Sequence, residues 1–506
     1  MEPGQHTEGR QPGTGTQPSD GARASGKRGR ALNRYAEQYD ALQAGGSTRE
    51  VMREDYALHR LPDAWRWGSS SVLMVLVGII TAFFFPTTGG EYFLAYGSAS
   101  TLIGMVIAFV IMTLLITVTA SAASREGLTS DLLTRGCGYG YMGSALTSLI
   151  YAFTYVIYAG LEGQILASAV ESVWPIPIGI YYVIVGVLFI PLTWYGMRQL
   201  TWTMWLTIPL YLALLLLAIV NALNRAGGFP AHFFNAQPPG AILGGLGILG
   251  VMAGLSGTIG LNPMEYSDYN RFLKAGQFRK SFVPAVLLPN FLMFFVAFPL
   301  GIFFALIMKE TNPGVYFVTL LGSGLGVLFA WITQVRINVT NVYSGSLAFS
   351  NFFVRVFKLA PGRIYWVALT SLLSVVLMFG NILGHLLMFL EWDGIYLVGW
   401  VATVVADLLV VKRLLHIGPS TIEYQKEKLR LINPVGVVAL VVAVALGSGL
   451  YYGVSNPYVK DLAPYITFCV AFVLHVAIAV GTRGRYYYPS TANAGTAAVP
   501  KTQQSG

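Results

Sequence analysis

Cysteine and histidine are scarce in this chain of 506 residues, with two cysteines, Cys137 and Cys469, and six histidines. Two cysteines cannot build a disulfide framework, and no cysteine or histidine cluster has metal-ligand spacing. Charge is thin as well: Asp, Glu, Lys and Arg make up 11% of the residues, against roughly a quarter in an average soluble domain. There is no nucleophile elbow, no zinc-binding helix motif and no phosphate loop, so the chain is not expected to be an enzyme.

What is present is apolar sequence. Hydrophobic residues make up 55% of the chain, and runs of about twenty recur from Ser70 to Val480. This predicts an all-α polytopic membrane protein, since in lipid only helices or closed barrels satisfy their own backbone, and runs of this length are helical. Twelve spans are expected, near 70–89, 93–118, 142–171, 176–196, 201–223, 239–262, 282–308, 319–353, 365–390, 394–411, 433–452 and 463–481. Placing both termini in the cytoplasm puts all but four of the 32 basic residues on that side. Arg225, Lys309 and Lys460 fall outside and Arg336 lies within a span, so the net charge of +9 reads as a topology signal and an attraction to anionic lipid. No nucleic-acid role follows from it.

The membrane domain is bounded at 69–482. Residues 1–30 are poor in large apolar side chains and are expected to be a disordered cytoplasmic tail. Residues 31–68 mix charges with spaced apolar residues, which predicts short juxtamembrane helices at the surface. Residues 483–506 form a cytoplasmic C-terminal tail. No apolar secretory leader is visible, and a multi-pass protein of the plasma (inner) membrane is expected.

One span carries polar residues that a lipid-facing helix would not tolerate. Wound at about 100° per residue, ITQVRINVTNVYSGSL (Ile332–Leu347) puts Gln334, Asn338, Asn341 and Gly345 on one side. Thr333, Arg336, Thr340, Tyr343 and Ser344 take another side, leaving a narrow apolar stripe through Ile332, Val335, Val339 and Val342. The helix is therefore expected inside the bundle, lining something polar. Packing against neighbouring helices would use the same amides and hydroxyls, and this alternative stays open. An acid is needed to answer Arg336, and Glu162 is the only one between about Met142 and Val170, so a Glu162–Arg336 partnership, direct or through water, is expected.

Glycine and proline interrupt two further spans. The sixth reads GGLGILGVMAGLSGTIGLNPMEYSDYNRF (Gly244–Phe272), which permits either close helix packing or a broken helix with exposed backbone. The first contains GIITAFFFPTTGGEY (Gly78–Tyr92), a matching interruption five spans earlier. Interruptions at corresponding positions of two five-helix halves point to an inverted repeat with substrate and ion at its interface. Glu265 and Asp268 are placed at the cytoplasmic end of the sixth span, and Glu391 and Asp393 in an outer turn between the ninth and tenth. His385 in the ninth span reads as a hydrogen-bonded packing histidine, with a proton-carrying group as the alternative.

SDYNRF (Ser267–Phe272) after a glycine-rich sixth span, and TQVRINVTNVYSGSLAFSN (Thr333–Asn351) in the eighth, resemble the nucleobase-cation symporter family of cytosine, purine, uracil, allantoin, thiamine and hydantoin permeases. REDYALHRLPDAWRW (Arg53–Trp67) resembles the entry segment of its cytosine-permease-like members. The resemblance implies a five-plus-five inverted-repeat core of the amino acid-polyamine-organocation type with two extra C-terminal helices, taking up small planar heterocycles with Na⁺ or H⁺. In hydantoin-transporting members the ring lies between aromatic side chains of helices 3 and 6, with amide contacts from helices 3 and 8. Those positions correspond here to Thr154 or Tyr155 with Tyr158, to Ile259 and to Asn338. The tryptophans of those members are absent, so Tyr155 and Tyr158 are the expected stacking residues.

The expected substrate contacts are thus Tyr155, Tyr158, Gly257, Ile259, Gln334, Asn338 and Asn341. Sodium-dependent members use a Ser-Thr pair on helix 8, which reads Ile332-Thr333 here, with Arg336 one turn on. One hydroxyl ligand fewer and a nearby positive charge favour H⁺ over Na⁺, with Glu162 as carrier tuned by Arg336 and with Thr333 remaining at the ion position. Asp268 and Arg271 are a possible gate pair, with solvated end charges as the alternative.

The leading expectation is a secondary active transporter importing a nucleobase or related heterocycle by alternating access, with a small-molecule substrate and the bilayer as partners and no cofactor beyond the ion. The same fold carrying an amino acid or amine is a second reading, and a non-transporting sensor a third. The sequence leaves the oligomeric state open.

Overall fold

The computed structural model describes residues 59–194, 197–359, 361–419 and 421–489. The expected disordered tail and most of the juxtamembrane segment lie outside the described residues, as does most of the C-terminal tail. Among the described residues the secondary structure is helical, and the one β-type pairing is an isolated bridge between Trp67 and Leu273.

Leaving aside the short helices Ser130–Thr134 and Pro313–Leu321, the helices are α1 Ser69–Ile80, α2 Phe84–Glu126, α3 Gly140–Glu171, α4 Ile178–Trp194, α5 Met197–Ala226 and α6 Gly244–Asn270. They continue with α7 over Val283–Met308, α8 Ser323–Phe357, α9 Arg363–Phe379, α10 Leu386–Val405, α11 Pro434–Gly453 and α12 Pro457–Gly481. Among the described residues eight helices are long and apolar enough to cross a membrane, and three shorter apolar ones accompany them. α8 is outside both groups although it has 35 residues. Its polar face lowers the hydropathy that marks the others.

The first span breaks where α1 ends at Ile80 and α2 begins at Phe84. Pro86 falls in the first turn of α2, where a missing N–H leaves nothing unsatisfied. The second span continues the same helix through a kink at Gly97, whose φ of +73° suits a residue without Cβ. The α5–α6 connection closes on this kink: Ser98 N–H donates to Ala236 O at 2.9 Å and Ile242 N–H to Ala95 O at 2.8 Å.

α6, by contrast, runs unbroken from Gly244 to Asn270 with Pro263 inside it. A break here is thus not formed, and its glycines serve contact instead. A Cβ on Gly257 would meet Leu390 O at 2.9 Å, and one on Gly260 would meet Leu397 Cβ at 2.6 Å. Both glycines therefore seat α6 against α10.

Two other boundaries move from their expected places. α9 stops at Phe379, and Gly380 and Asn381, the latter at φ +52°, make the turn into α10. The polar EWDG stretch taken as an outer turn is helical and lies within α10, so Asp393 is 3% exposed rather than solvated. His385 sits in the Ile382–His385 turn and is exposed, not packed in a helix.

The described part of the juxtamembrane segment is not a surface helix. Residues 61–67 dock on the bundle: Leu61 N–H donates to Gly127 O at 2.8 Å, Arg66 to Ser124 O at 2.5 Å and Leu273 O at 2.9 Å, and Trp67 stacks on Phe272 at 4.1 Å. At the other end Tyr487 enters the bundle and bonds Asp407, which also holds Lys412 and His475.

Packing divides the first ten helices into groups. α2 lies along α6 and α7, whereas α3 lies along α8 and α9, with α9 also on α4. Each of α1 to α4 touches the helix five places later. Between the two groups, beside the α1/α2 break, lies the central cavity.

Candidate functional site

The break exposes backbone groups that would otherwise sit in a hydrogen-bonded ladder, and two charged side chains reach it from opposite sides. Glu162 of α3 is 1% exposed, and its Oε1 accepts the N–H of Phe84, the first residue of α2, at 3.3 Å. Arg336 of α8 is 4% exposed and donates through Nη2 to the hydroxyl of Thr81, the residue that ends α1. Its Nη1 donates to Thr207 Oγ1 of α5 at 3.3 Å. The direct Glu162–Arg336 pair is therefore not formed. The carboxylate caps the positive N-terminal end of one half-helix and the guanidinium sits at the negative C-terminal end of the other, each where the helix dipole favours it.

The cavity beside this break measures about 40 Å³. That holds on the order of two or three waters. The α1/α2 break contributes Ile79, Ala82, Phe84 and Phe85, and α3 contributes Tyr155, Tyr158 and Glu162. Thr258, Leu261, Asn262 and Glu265 come from α6, with Ile337 and Asn341 from α8. Phe84 and Tyr158 meet edge to face with ring centroids 4.9 Å apart. Glu162 Oε2, Thr258 Oγ1 and the Asn341 amide nitrogen have no protein partner. At this volume the cavity holds water rather than a ring, so its aromatic wall and polar groups would meet a small, flat, polar molecule only once the surrounding helices move apart.

The expected contact residues divide accordingly. Tyr155, Tyr158 and Asn341 line the cavity together with Glu162. Asn338 is fully buried elsewhere: its amide donates to Ala159 O and accepts from Gly163 N–H, both at 3.2 Å, so it fastens α8 to α3. Gly257 contacts α10, and Ile259 is packed in the apolar core. Gln334 is buried beside Glu162, and Thr333 is buried with its hydroxyl unpaired. The stripe side chains Val339 and Val342 face an apolar protein neighbourhood with Phe329 and Tyr211, not lipid.

Three acids take up positions unlike those expected. Asp268 Oδ1 accepts Ser130 N–H at 2.7 Å, and Oδ2 accepts Ser130 Oγ at 3.0 Å and Tyr151 OH at 3.1 Å. Arg271 Nε donates to the backbone carbonyl of Asp268 at 3.1 Å and its guanidinium lies over the Phe272 ring. Glu265 is 7% exposed and is reached by Tyr155 OH at 3.3 Å. Asp393 accepts the Thr154 hydroxyl at 2.8 Å. Sequence reasoning missed Glu265, Asp393 and the Phe84–Phe85 wall. The FFFP stretch that closes the break and opens α2 was the available signal for the aromatics; the acids had none, because a polar residue near a span end reads as solvated.

No protein-family model matches the chain, and no curated protein matches it in sequence. Solved structures do. The inward-facing conformation of Mhp1 superimposes with a TM-score of 0.68 over 85% of this chain and 94% of its own, at 16% identity. The chain has the Mhp1 fold. Mhp1 is described as a nucleobase-cation-symport-1 family transporter, and its closed form with bromovinylhydantoin bound gives a TM-score of 0.64 at 17% identity, over 85% and 96% of the two chains. A substrate-bound, outward-open Na⁺-coupled sialic acid symporter gives 0.58 at 12% identity, over 89% and 96%. At 16–17% identity the likeness to Mhp1 is one of fold, and it extends over 85% of this chain.

Proposed function

We propose that this chain is a secondary active transporter that imports a nucleobase or related small heterocycle by alternating access, coupled to protons. The observation that carries the reading is the cavity at the α1/α2 break, with aromatic side chains, two amides and two carboxylates, inside an Mhp1-like fold. Tyr155 and Tyr158 stack on the ring, and Asn341 pairs with its polar edge. Contacts between each of α1 to α4 and the helix five places later support the five-plus-five inverted repeat with α11 and α12 added, twelve spans in all. The excess of Lys and Arg on one side supports a plasma-membrane orientation with both termini in the cytoplasm.

Glu162 is the proposed proton carrier, because its carboxylate lines the cavity and touches the break at once. Arg336 provides a fixed positive charge at the end of α1, which disfavours Na⁺ there by repulsion. Asp268, held by Ser130 and Tyr151, closes the cytoplasmic end of α6, with Arg271 beside it.

The test is uptake of labelled cytosine, uracil, adenine, guanine, hypoxanthine and allantoin by cells expressing the chain, at two pH values, with and without sodium. Acid-stimulated, sodium-independent uptake of one compound is expected. The same two carboxylates favour a second reading, import of a cationic amine. A labelled amine panel taken up while all six heterocycles fail selects it.

A further inference from the structure

Two carboxylates and two phenols run in a continuous line from the cavity to the end of α6. Glu265 and Asp268 are three residues apart on α6, and Tyr155 and Tyr151 are four apart on α3, so both pairs are stacked one turn above the other. Tyr155 OH lies 3.3 Å from Glu265 Oε1 and 3.0 Å from Tyr151 OH, and Tyr151 OH lies 3.1 Å from Asp268 Oδ2. The rings hold this order: Tyr151 meets Tyr155 edge on at 4.8 Å and Trp400 at 5.4 Å. Glu265 and Tyr155 are buried against the cavity, whereas Tyr151 and Asp268 are partly exposed.

We propose that Glu265, Tyr155, Tyr151 and Asp268 form a proton path from the central cavity to the cytoplasmic face. This rests on the proton-coupled reading above and adds the route by which the proton leaves.

Counting protons shows why the line works as a relay. Four oxygens leave three gaps, and each gap needs one hydrogen to be a hydrogen bond. The two phenols supply two, so the third is a single carboxyl proton shared by Glu265 and Asp268. With Glu265 protonated, it donates to Tyr155, Tyr155 to Tyr151, and Tyr151 to the Asp268 carboxylate. Moving all three hydrogens one step leaves Glu265 ionised, both tyrosines neutral and Asp268 protonated, with every gap still bonded in the reverse sense. Neither phenol becomes charged in the initial or final arrangement, which matters where an isolated buried charge is costly. Two ionised carboxylates one turn apart would also repel, and one shared proton relieves this. Asp268 then releases to solvent, and its carboxylate keeps the Ser130 N–H and hydroxyl as donors. The other titratable or charged groups near the path are Tyr158 and Glu162 at the cavity with Asp393 facing Tyr158, Tyr266 beside Glu265, Tyr269 beside both acids, Arg271 beside Asp268, and Tyr343 beside Tyr269.

The deciding variants are Tyr151→Phe, which removes the middle oxygen but keeps the ring and lies outside the cavity lining, and Asp268→Asn, which removes the exit acceptor. The full chain is reconstituted in liposomes and read in two ways. Infrared difference spectra on stepping from alkaline to acid buffer, without substrate, are expected to show a carboxyl band and tyrosine bands changing together. In Tyr151→Phe the two are expected to separate; unchanged spectra in this variant overturn the path. With cytosine, or whichever compound of the uptake panel is carried, proton movement into the liposome interior is recorded beside equal-pH counterflow. Both variants are expected to lose about tenfold or more of the proton flux, while counterflow in Tyr151→Phe stays within about twofold. Proton flux retained in Tyr151→Phe and Asp268→Asn overturns the proposal. If no compound of the panel is carried, the substrate reading has failed, and the infrared result still decides the path.

Discussion

Glu162 and Arg336 hold opposite edges of one three-residue gap, and their chemistry differs accordingly. Glu162→Gln keeps an oxygen for the Phe84 N–H but cannot carry a proton. The variant is expected to retain counterflow while losing acid stimulation of uptake, measured as initial rates across external pH. The sign follows from symport: a proton that enters with the substrate adds about 1.4 kcal/mol of driving force for each unit by which the outside is more acidic. Acid stimulation undiminished in Glu162→Gln removes this residue from coupling. Arg336 spans Thr81 and Thr207 with two arms of a rigid fork. Arg336→Lys offers one compact ammonium in its place and is expected to restore only part of the uptake lost in Arg336→Met, with sodium added and omitted in both assays. Full activity of Arg336→Met would remove the guanidinium from the mechanism.

The elements depend on backbones that approach without side chains between them. A Cβ on Gly301 of α7 would lie 1.9 Å from Pro86 O, and one on Gly89 of α2 would lie 2.0 Å from Phe298 O. Backbone atoms cannot yield as a flexible side chain does, so α2 and α7 would have to separate. Gly301→Ala is expected to destabilise the solubilised protein by about 1–3 kcal/mol, read as a lower thermal midpoint. Gly449→Ala in α11, where an added Cβ meets nothing within 4 Å, is the control and is expected to stay within about 0.5 kcal/mol. Three helical starts use one local device: Asn312, Asn433 and Asn456 each precede proline and accept the N–H two residues on, at 2.9, 3.0 and 2.9 Å.

For the whole molecule, the distribution of basic residues predicts that a reporter fused after Gly506 is reached only from the cytoplasmic side. Protease protection in inverted and right-side-out vesicles checks this, and digestion from the outside would overturn the orientation. The first and last described segments are also tied to the helix bundle. Residues 61–67 bond the connections after α2 and α6, and Tyr487 closes on Asp407 of the α10 extension. Arg355 at the end of α8 binds Asp131 at 2.8 Å and Ser148 at 2.6 Å, next to the Ser130 that holds Asp268. The ends of α6 and α8 therefore meet on one short segment between α2 and α3.

The sequence by itself determined the membrane class, the helical fold, the polar interior of α8 and the break in the first span. Each is a local property: run length, helical periodicity, and proline or glycine where a helix must stop. Tertiary structure alone decided which polar groups meet. Asn338 and Asn341 lie one turn apart on the same face of α8, yet one meets the backbone of Ala159 and Gly163 and fastens α3, whereas the other lines the cavity. The matching glycine-rich stretch of α6 stays helical because Leu390, Leu397 and Tyr92 fill the space against its glycines. Glu265 and Asp393 read as solvated from their neighbours in the chain, and only the packing of α3 across α6 and α10 buries them beside Tyr155 and Thr154.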